Sequence, residues 1–261
     1  MKTPICLSIA GSDPSGGAGI QADLKVFQNH SCYGCSVTTL ETIQNSLGVS
    51  EVYVQPSEII RKQIQALSSD FEFNAIKLGA LGDEDNLKTI IDSGILEKSP
   101  VIIDPIFHST SGNALFSEDG HLLYQKFLLP KAFLVTPNLP EAALLSEMEI
   151  RTLADMKIAA EKIIKLGARS VLIKGGHLDS DLCIDLLLSD SEFTEIKNPR
   201  INSKHTHGTG CYLSASITAF LAKNMSLIDA VKLACKNTHE AIKTAPGLGK
   251  GQGPLNFLYK S

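Results

Sequence analysis

The stretch His205-Thr206-His207-Gly208-Thr209-Gly210-Cys211 sets two glycines and a thiol directly before an apolar run. From Leu213 the apolar positions recur as Leu213, Ile217, Phe220 and Leu221, which is helical spacing, so Gly208 to Gly210 form the turn entering a helix. The first N–H groups of a helix have no intrahelical partner and carry the positive end of its dipole. Two glycines let that backbone approach a phosphoryl group without a Cβ in the way. Cys211 falls in the first turn, where the dipole favours a thiolate and hence a catalytic base. A glycine-rich helix entry followed by a buried, inert cysteine fits the same residues equally well.

Five more clusters of polar or glycine residues stand just after strand-like runs. They are Gly11-Ser12-Asp13 with Gly16-Gly17-Ala18-Gly19, then Gln44-Asn45, Asp104-Pro105, Pro137-Asn138 to Glu141, and Lys174-Gly175-Gly176-His177. Any one of them reads as ordinary loop chemistry. Together with the Gly208 turn they supply what phosphoryl transfer needs. Lys174, followed by two glycines, reaches a phosphate as a point charge. Asp104, Asn138 and Glu141 offer the hard oxygen donors that Mg²⁺ prefers, mostly through retained waters.

The runs that carry these clusters alternate with amphipathic stretches. Strands are expected at Ile5–Ala10, Ser36–Ile43, Ala75–Leu78, Val101–Asp104, Phe133–Val135 and Ser170–Ile173, and helices at Gln21–Asn29, Glu58–Leu67, Leu153–Leu166 and Leu227–Ala245. Such alternation implies an α/β fold, a mainly parallel sheet covered by helices, in which ligands bind outside the carboxyl ends of the strands. Cys183–Leu188 and Phe193–Ile196 flank the turn residues Ser189-Asp190-Ser191, so a late β-hairpin is expected. No repeat or linker divides the 261 residues, and one domain spanning 1–261 is the simplest organisation.

A net charge of −4 argues against a nucleic-acid partner. No apolar run approaches the roughly 18 residues of a membrane span, so a cytoplasmic protein without membrane contact is expected. Six scattered cysteines suggest reduced thiols, and Cys32-x-x-Cys35 lacks the second pair that would complete a zinc site. Gly11 to Gly19 has neither the Gly-Lys-Ser/Thr ending of a P-loop nor the spacing of a dinucleotide fingerprint.

Ala10-Gly11-Ser12-Asp13-Pro14-Ser15-Gly16-Gly17-Ala18-Gly19-Ile20-Gln21-Ala22-Asp23-Leu24-Lys25, Thr136-Pro137-Asn138-Leu139-Pro140-Glu141-Ala142, Lys174-Gly175-Gly176-His177, Thr206 to Cys211 and Gly249-Lys250-Gly251 together resemble the hydroxymethylpyrimidine/phosphomethylpyrimidine kinases of thiamine biosynthesis, from about Ile5 to Asn256. The resemblance implies a ribokinase-like three-layer α/β/α fold and a homodimer. It also implies Mg·ATP-dependent phosphorylation of 4-amino-5-hydroxymethyl-2-methylpyrimidine and then of its monophosphate. Carried over residue by residue, it puts Cys211 where most ribokinase-like enzymes have Asp, with Gly208, Thr209, Gly210 and Lys174 beside it in catalysis. Asn138, Lys174, Thr206, Gly208 and Gly210 then face ATP, Asp104 and Glu141 the metal, and Gly11, Asp23 and Gln44 the pyrimidine. A carboxylate and an amide suit an exocyclic amine and a ring nitrogen.

Leu40-Glu41-Thr42-Ile43, Ala80, Phe107, His108 and Tyr212 depart from the family pattern near the expected acceptor pocket. They keep a pyridoxal kinase of the same fold as a rival reading. A non-catalytic ligand-binding regulator is the other rival, against which stand Cys211, Lys174 and Glu141.

Overall fold

The computed structural model describes residues 2–107, 117–176 and 182–259. Strands β1 (Ile5–Ser12), β2 (Tyr33–Asn45), β3 (Gly48–Val54), β4 (Ala75–Leu78), β5 (Val101–Ile103), β6 (Leu134–Val135), β7 (Val171–Ile173), β8 (Leu182–Ser189) and β9 (Glu192–Pro199) form one sheet in the order β3-β2-β1-β4-β5-β6-β7-β8-β9. The six strands from β2 to β7 pair in parallel, while β3, β8 and β9 are antiparallel additions at the two ends.

The central strands are short and apolar because both of their faces are covered. Cys6, Ala75, Ile102, Leu134 and Leu172 point to one layer, made of α1 (Gly19–Asn29), α7 (Thr209–Ala222) and α8 (Leu227–Lys243). Their neighbours Leu7, Ile76, Ile103, Val135 and Ile173 point to the other, made of α2 (Ser57–Ser68), α3 (Glu84–Asp92), α5 (Leu139–Ser146) and α6 (Leu153–Lys165). A short α4 (Glu118–Leu123) precedes β6. This is the expected three-layer ribokinase-like arrangement with its late hairpin. Asp190 and Ser191 both adopt positive φ, 49° and 64°, as a tight two-residue β-turn requires.

Two features differ from the sequence expectations. β2 extends to Asn45 and folds back through β3, for which no strand was expected. Helices α3 and α5 were also missed, being short and, in α5, apolar without a polar stripe. Cys32 packs in the α1/α7/α8 layer and Cys35 in the opposite one, so the two thiols do not share a face, and all six cysteines are free.

Helix α7 is buried from Cys211 to Ala222 on every side. Two of its hydroxyls bond within the helix, Ser214 donating to the Gly210 carbonyl at 2.9 Å and Thr218 to that of Ser214 at 2.7 Å. Such a helix cannot shift without disturbing the core, and its N-terminus is correspondingly well positioned.

Candidate active site

Gly208 caps α7 with φ 82°, a left-handed conformation, and a Cβ there would lie 1.8 Å from the Gly17 carbonyl oxygen. Only glycine satisfies both demands. Thr209 pins the turn by donating its hydroxyl to the Thr206 carbonyl at 2.7 Å, and Gly210 lies against Asp104 and Lys174. The turn therefore overhangs the ends of β5 and β7.

Asp104 follows β5 and is buried. It accepts from Lys174 Nζ at 2.8 Å and from the Thr136 hydroxyl at 3.1 Å. Burial works against its charge, but the Lys174 and Lys77 ammonium groups hold the carboxyl below its usual range. Glu141 Oε2 stands 3.9 Å from Lys174 Nζ. Burial, joined by repulsion from Asp104, pushes its carboxyl up to about 7 despite Lys174. The loop carrying Lys174 is fixed from below, where Gly175 N–H donates to Asp185 Oδ1 at 3.0 Å. A Cβ on Gly175 would meet the Ile184 carbonyl oxygen at 1.8 Å.

Asn138 and Glu141 are bound to each other as a capping box. Asn138 Oδ1 accepts from Glu141 N–H at 2.9 Å and Glu141 Oε2 from Asn138 N–H at 2.7 Å. Their spacing is thus explained by the start of α5 alone. It leaves the Asn138 amide nitrogen and Glu141 Oε1 as the groups open to a ligand.

Beside the turn lies a cleft of about 630 Å³, part of it open to solvent, lined by Gly11, Gln44, Cys211 and His207 and walled by Leu40, Ala80, Val49, Val52 and Ile106. Its apolar walls with a few convergent polar groups suit a small heteroaromatic ring. Two of those walls, Val49 and Val52, come from the unexpected β3.

Cys211 Sγ accepts from the Gly19 backbone N–H. The expected dipole-stabilised thiolate is not what the surroundings favour. Burial pushes the thiol up to about 11, because Asp23 and Asp104 add to desolvation and outweigh the nearby Lys77.

Asp23 does not line the cleft. It is fully buried beneath it, with both oxygens engaged by Lys77 Nζ at 2.8 and 3.0 Å and one also by the Ser8 hydroxyl at 2.5 Å. It therefore supports the cleft from below and does not face into it. Lys77, the missed partner, carries a charge in an otherwise apolar strand, and that anomaly in Ala75-Ile76-Lys77-Leu78 was the available signal. Desolvation disfavours its charge, but the Asp23 carboxylate keeps Lys77 an ammonium.

Among the departing residues, Leu40 and Ala80 line the cleft, Glu41 and Ile43 face solvent, and Thr42 joins the polar rim. Phe107 packs against Tyr124 and His121 in the core, and Tyr212 lies inside the α7 layer beside Phe257. Neither touches the cleft. His108 and His177 fall outside the described residues.

The phosphomethylpyrimidine kinase family matches residues 13–256 of the chain. A hydroxymethylpyrimidine/phosphomethylpyrimidine kinase of Bacillus subtilis (strain 168) is 42% identical, covering 97% of this chain and 95% of its own. One of Aquifex aeolicus (strain VF5) is 39% identical, covering 97% and 100%. Among solved structures, a Bacillus subtilis pyridoxal kinase bound to ADP superposes with a TM-score of 0.90 at 34% identity over 98% of both chains. The pyridoxal kinase of Staphylococcus aureus bound to AMP-PCP gives 0.90 at 34% identity, over 99% of this chain and 94% of that one. Phosphomethylpyrimidine kinase from Clostridium difficile 630 gives 0.81 at 37% identity, over 92% of this chain and 100% of that one.

Proposed function

The chain belongs to the phosphomethylpyrimidine kinase family, and from this we propose that it phosphorylates the hydroxymethyl group of 4-amino-5-hydroxymethyl-2-methylpyrimidine and then the resulting monophosphate, with the cleft beside Cys211 as the acceptor site. It is a phosphotransferase and uses ATP. The observation that carries the site assignment is the position of the α7 entry turn, which joins the Asp104–Lys174 pair to the mouth of an apolar-walled cleft.

In this reading the ring lies between Leu40, Ala80 and the valines of β3, with Gly11 giving close backbone approach and Gln44 meeting the polar edge. Cys211 removes the proton of the acceptor hydroxyl. The oxygen so freed forms the new P–O bond at the γ-phosphorus as the bond to ADP breaks. Lys174 and the N–H groups of Gly208 to Gly210 hold the charge spread over the transferring oxygens. Thr206 shapes the turn through its carbonyl, and the Asn138 amide nitrogen faces the nucleotide.

Asp104 and Glu141 suit Mg²⁺. They are two carboxylates on either side of one ammonium, and among the described residues no group of three His, Cys, Asp or Glu gathers round a common point. Mg²⁺ is usually held in this way, by one or two carboxylates with water and substrate phosphate completing the shell. When bound it would neutralise charge on the nucleotide phosphates.

The pyridoxal reading draws on the two pyridoxal kinases that superpose at 0.90. ATP turnover with the aminopyrimidine alcohol, its monophosphate and pyridoxal separates the two. A kcat/KM for pyridoxal equal to or above that for the alcohol rejects the aminopyrimidine assignment. A homodimer joined through the β2–β3 edge, where Ile43, Leu47 and Tyr53 are exposed, and a cytoplasmic location complete the proposal. Sedimentation of the protein and of Tyr53→Glu tests the first, and fractionation of the source cells tests the second. No helix among the described residues is long and apolar enough to cross a membrane.

A further inference from the structure

His207 reaches the polar rim of the cleft with no role in the scheme above. Its Nε2 lies 2.8 Å from Asp13 Oδ2 and 3.1 Å from the side-chain amide of Gln44. Asp13 is itself rigid. It accepts from the Ser15 N–H at 2.8 Å, the Ser15 hydroxyl at 3.0 Å and the Ala18 N–H at 2.9 Å, and hydrogen bonds from His207 and Ser15 hold its carboxyl below the usual range against the effect of burial. On the other flank of Gln44, Thr42 Oγ1 lies 3.1 Å from the amide and 3.0 Å from the Ser12 carbonyl oxygen.

These partners dictate which way the Gln44 amide points. A carboxylate only accepts, so His207 Nε2 must carry a proton and cannot accept from an amide N–H. The structure sets Gln44 Nε2 at this point, but two N–H groups cannot face each other, so the atom is assigned as the amide oxygen, which shares the single Nε2 proton of His207 with Asp13. Thr42 Oγ1 has one proton, for which the Ser12 carbonyl and the Gln44 side-chain oxygen compete at 3.0 and 3.1 Å, so this flank admits either orientation of the amide. The His207 flank therefore decides: it takes the amide oxygen, and the amide nitrogen turns to Thr42, which then gives its proton to Ser12 and accepts. One N–H and one oxygen lone pair of Gln44 remain, side by side, for the acceptor. That pair complements a ring nitrogen adjacent to an exocyclic amine.

We propose that His207, held by Asp13, is a positioning residue that locks the Gln44 amide in the one orientation matching an aminopyrimidine edge, and so sets acceptor specificity without touching the phosphoryl group. The inference rests on the reading that Gln44 meets the acceptor. Without His207 the amide is free to turn over and present its polarity reversed.

The test is a double-mutant cycle of His207→Phe with Gln44→Ala, measuring kcat and KM for the aminopyrimidine alcohol, for pyridoxal and for ATP. His207→Phe keeps a ring of similar size and removes the N–H. It is expected to raise KM for the alcohol about 10-fold, the loss of one directed hydrogen bond, with kcat and KM for ATP within about twofold. In the Gln44→Ala background the same change should cost less than about twofold, and His207→Gln, which restores an N–H donor, should recover most of the wild-type KM. If His207→Phe does not fold, Asp13→Asn reads the same lock from its other end and should show the same KM pattern and the same coupling to Gln44→Ala. Equal losses in kcat and in KM for ATP, or effects additive with Gln44→Ala, would overturn the proposal. Wild-type protein that turns over pyridoxal but not the alcohol instead removes the acceptor assignment itself, a separate failure.

Discussion

Removing the Cys211 thiol should do two things at once, and their combination identifies its role. Burial pushes the thiol up to about 11. At pH 7 the thiolate is then on the order of 10⁻⁴ of the enzyme, roughly 5 kcal/mol above the thiol. A base that must ionise before it acts makes kcat/KM follow that fraction, because kcat/KM reports the free enzyme's ionisations. For the wild type, kcat/KM with the aminopyrimidine alcohol should climb close to tenfold per pH unit from pH 7 to about 10. In Cys211→Ala it should be lower by about 10²–10⁴-fold, the usual contribution of a general base, and lose that slope. Coupled measurement of ADP release at saturating Mg²⁺, across pH 6 to 10, gives both numbers. A flat wild-type profile, or an alanine variant that keeps the wild-type slope, refutes Cys211 as the base and leaves it a packing residue of α7.

Because the Glu141 carboxyl sits at about 7, its proton must leave for metal to bind, so the Mg²⁺ concentration for half-maximal activity should rise as pH falls below about 7. Glu141→Gln should raise that concentration at pH 8 and abolish its pH dependence; an unchanged midpoint in Mg²⁺ titrations removes Glu141 from the metal role. Asp23→Asn leaves Lys77 charged and poorly partnered in the core, so urea unfolding should show a loss of about 3–5 kcal/mol, while Asp23→Leu with Lys77→Met should restore much of it. A variant as stable as wild type would contradict the buried pair. Cys211→Asp, by placing a carboxyl near Asp23 and Asp104, should cost little stability at pH 4 and progressively more as pH rises and that carboxyl is forced to ionise; urea midpoints independent of pH would refute this.

The sheet was legible because its strands are apolar runs bounded by polar clusters, and one rule about where ligands bind then gathered Gly11, Asp104, Asn138, Lys174 and the Gly208 turn at one edge. What stayed hidden was hidden for physical reasons. β3 has no inward face of its own. Most of its residues are exposed or half-exposed, and it becomes a strand only by pairing with β2 across the Asn45–Gly48 turn. Asp23 was placed in the pocket by the family resemblance, and a lone carboxylate early in a helix carries no sign of its partner, since Lys77 lies 54 residues on. The Asn138-to-Glu141 spacing matches both a capping box and a ligand pair, so no sequence reading could divide those roles. Phe107 and Tyr212 departed from the family pattern, yet both proved to be core residues, which shows that a departure near a motif marks a site only when its side chain faces the same way.

The charges beneath the turn are nearly balanced before any substrate arrives. Lys77 is matched by Asp23 at 2.8 Å and Lys174 by Asp104 at 2.8 Å, Cys211 is held neutral as a thiol, and Glu141 sits near the middle of its titration at neutral pH. In this low-dielectric setting a further fixed carboxylate would be opposed by Asp23 and Asp104, whereas a thiol adds no charge until a proton leaves it. That gives a physical reason for cysteine, and not aspartate, at the end of this turn. The buried Lys77–Asp23 pair already occupies the space beneath it, and a neutral residue is the one that such a neighbourhood tolerates. The same balance means that the negative charge of a bound triphosphate is not met by any surplus of lysine. In the proposed scheme it is met by the helix N-terminus, which is fixed because α7 is buried on all sides, and by a cation whose binding draws the proton off Glu141. With Glu141 in the proposed metal role, nucleotide, metal and its ionisation form one linked event, while Cys211, in the wall of the cleft, gives up its proton separately.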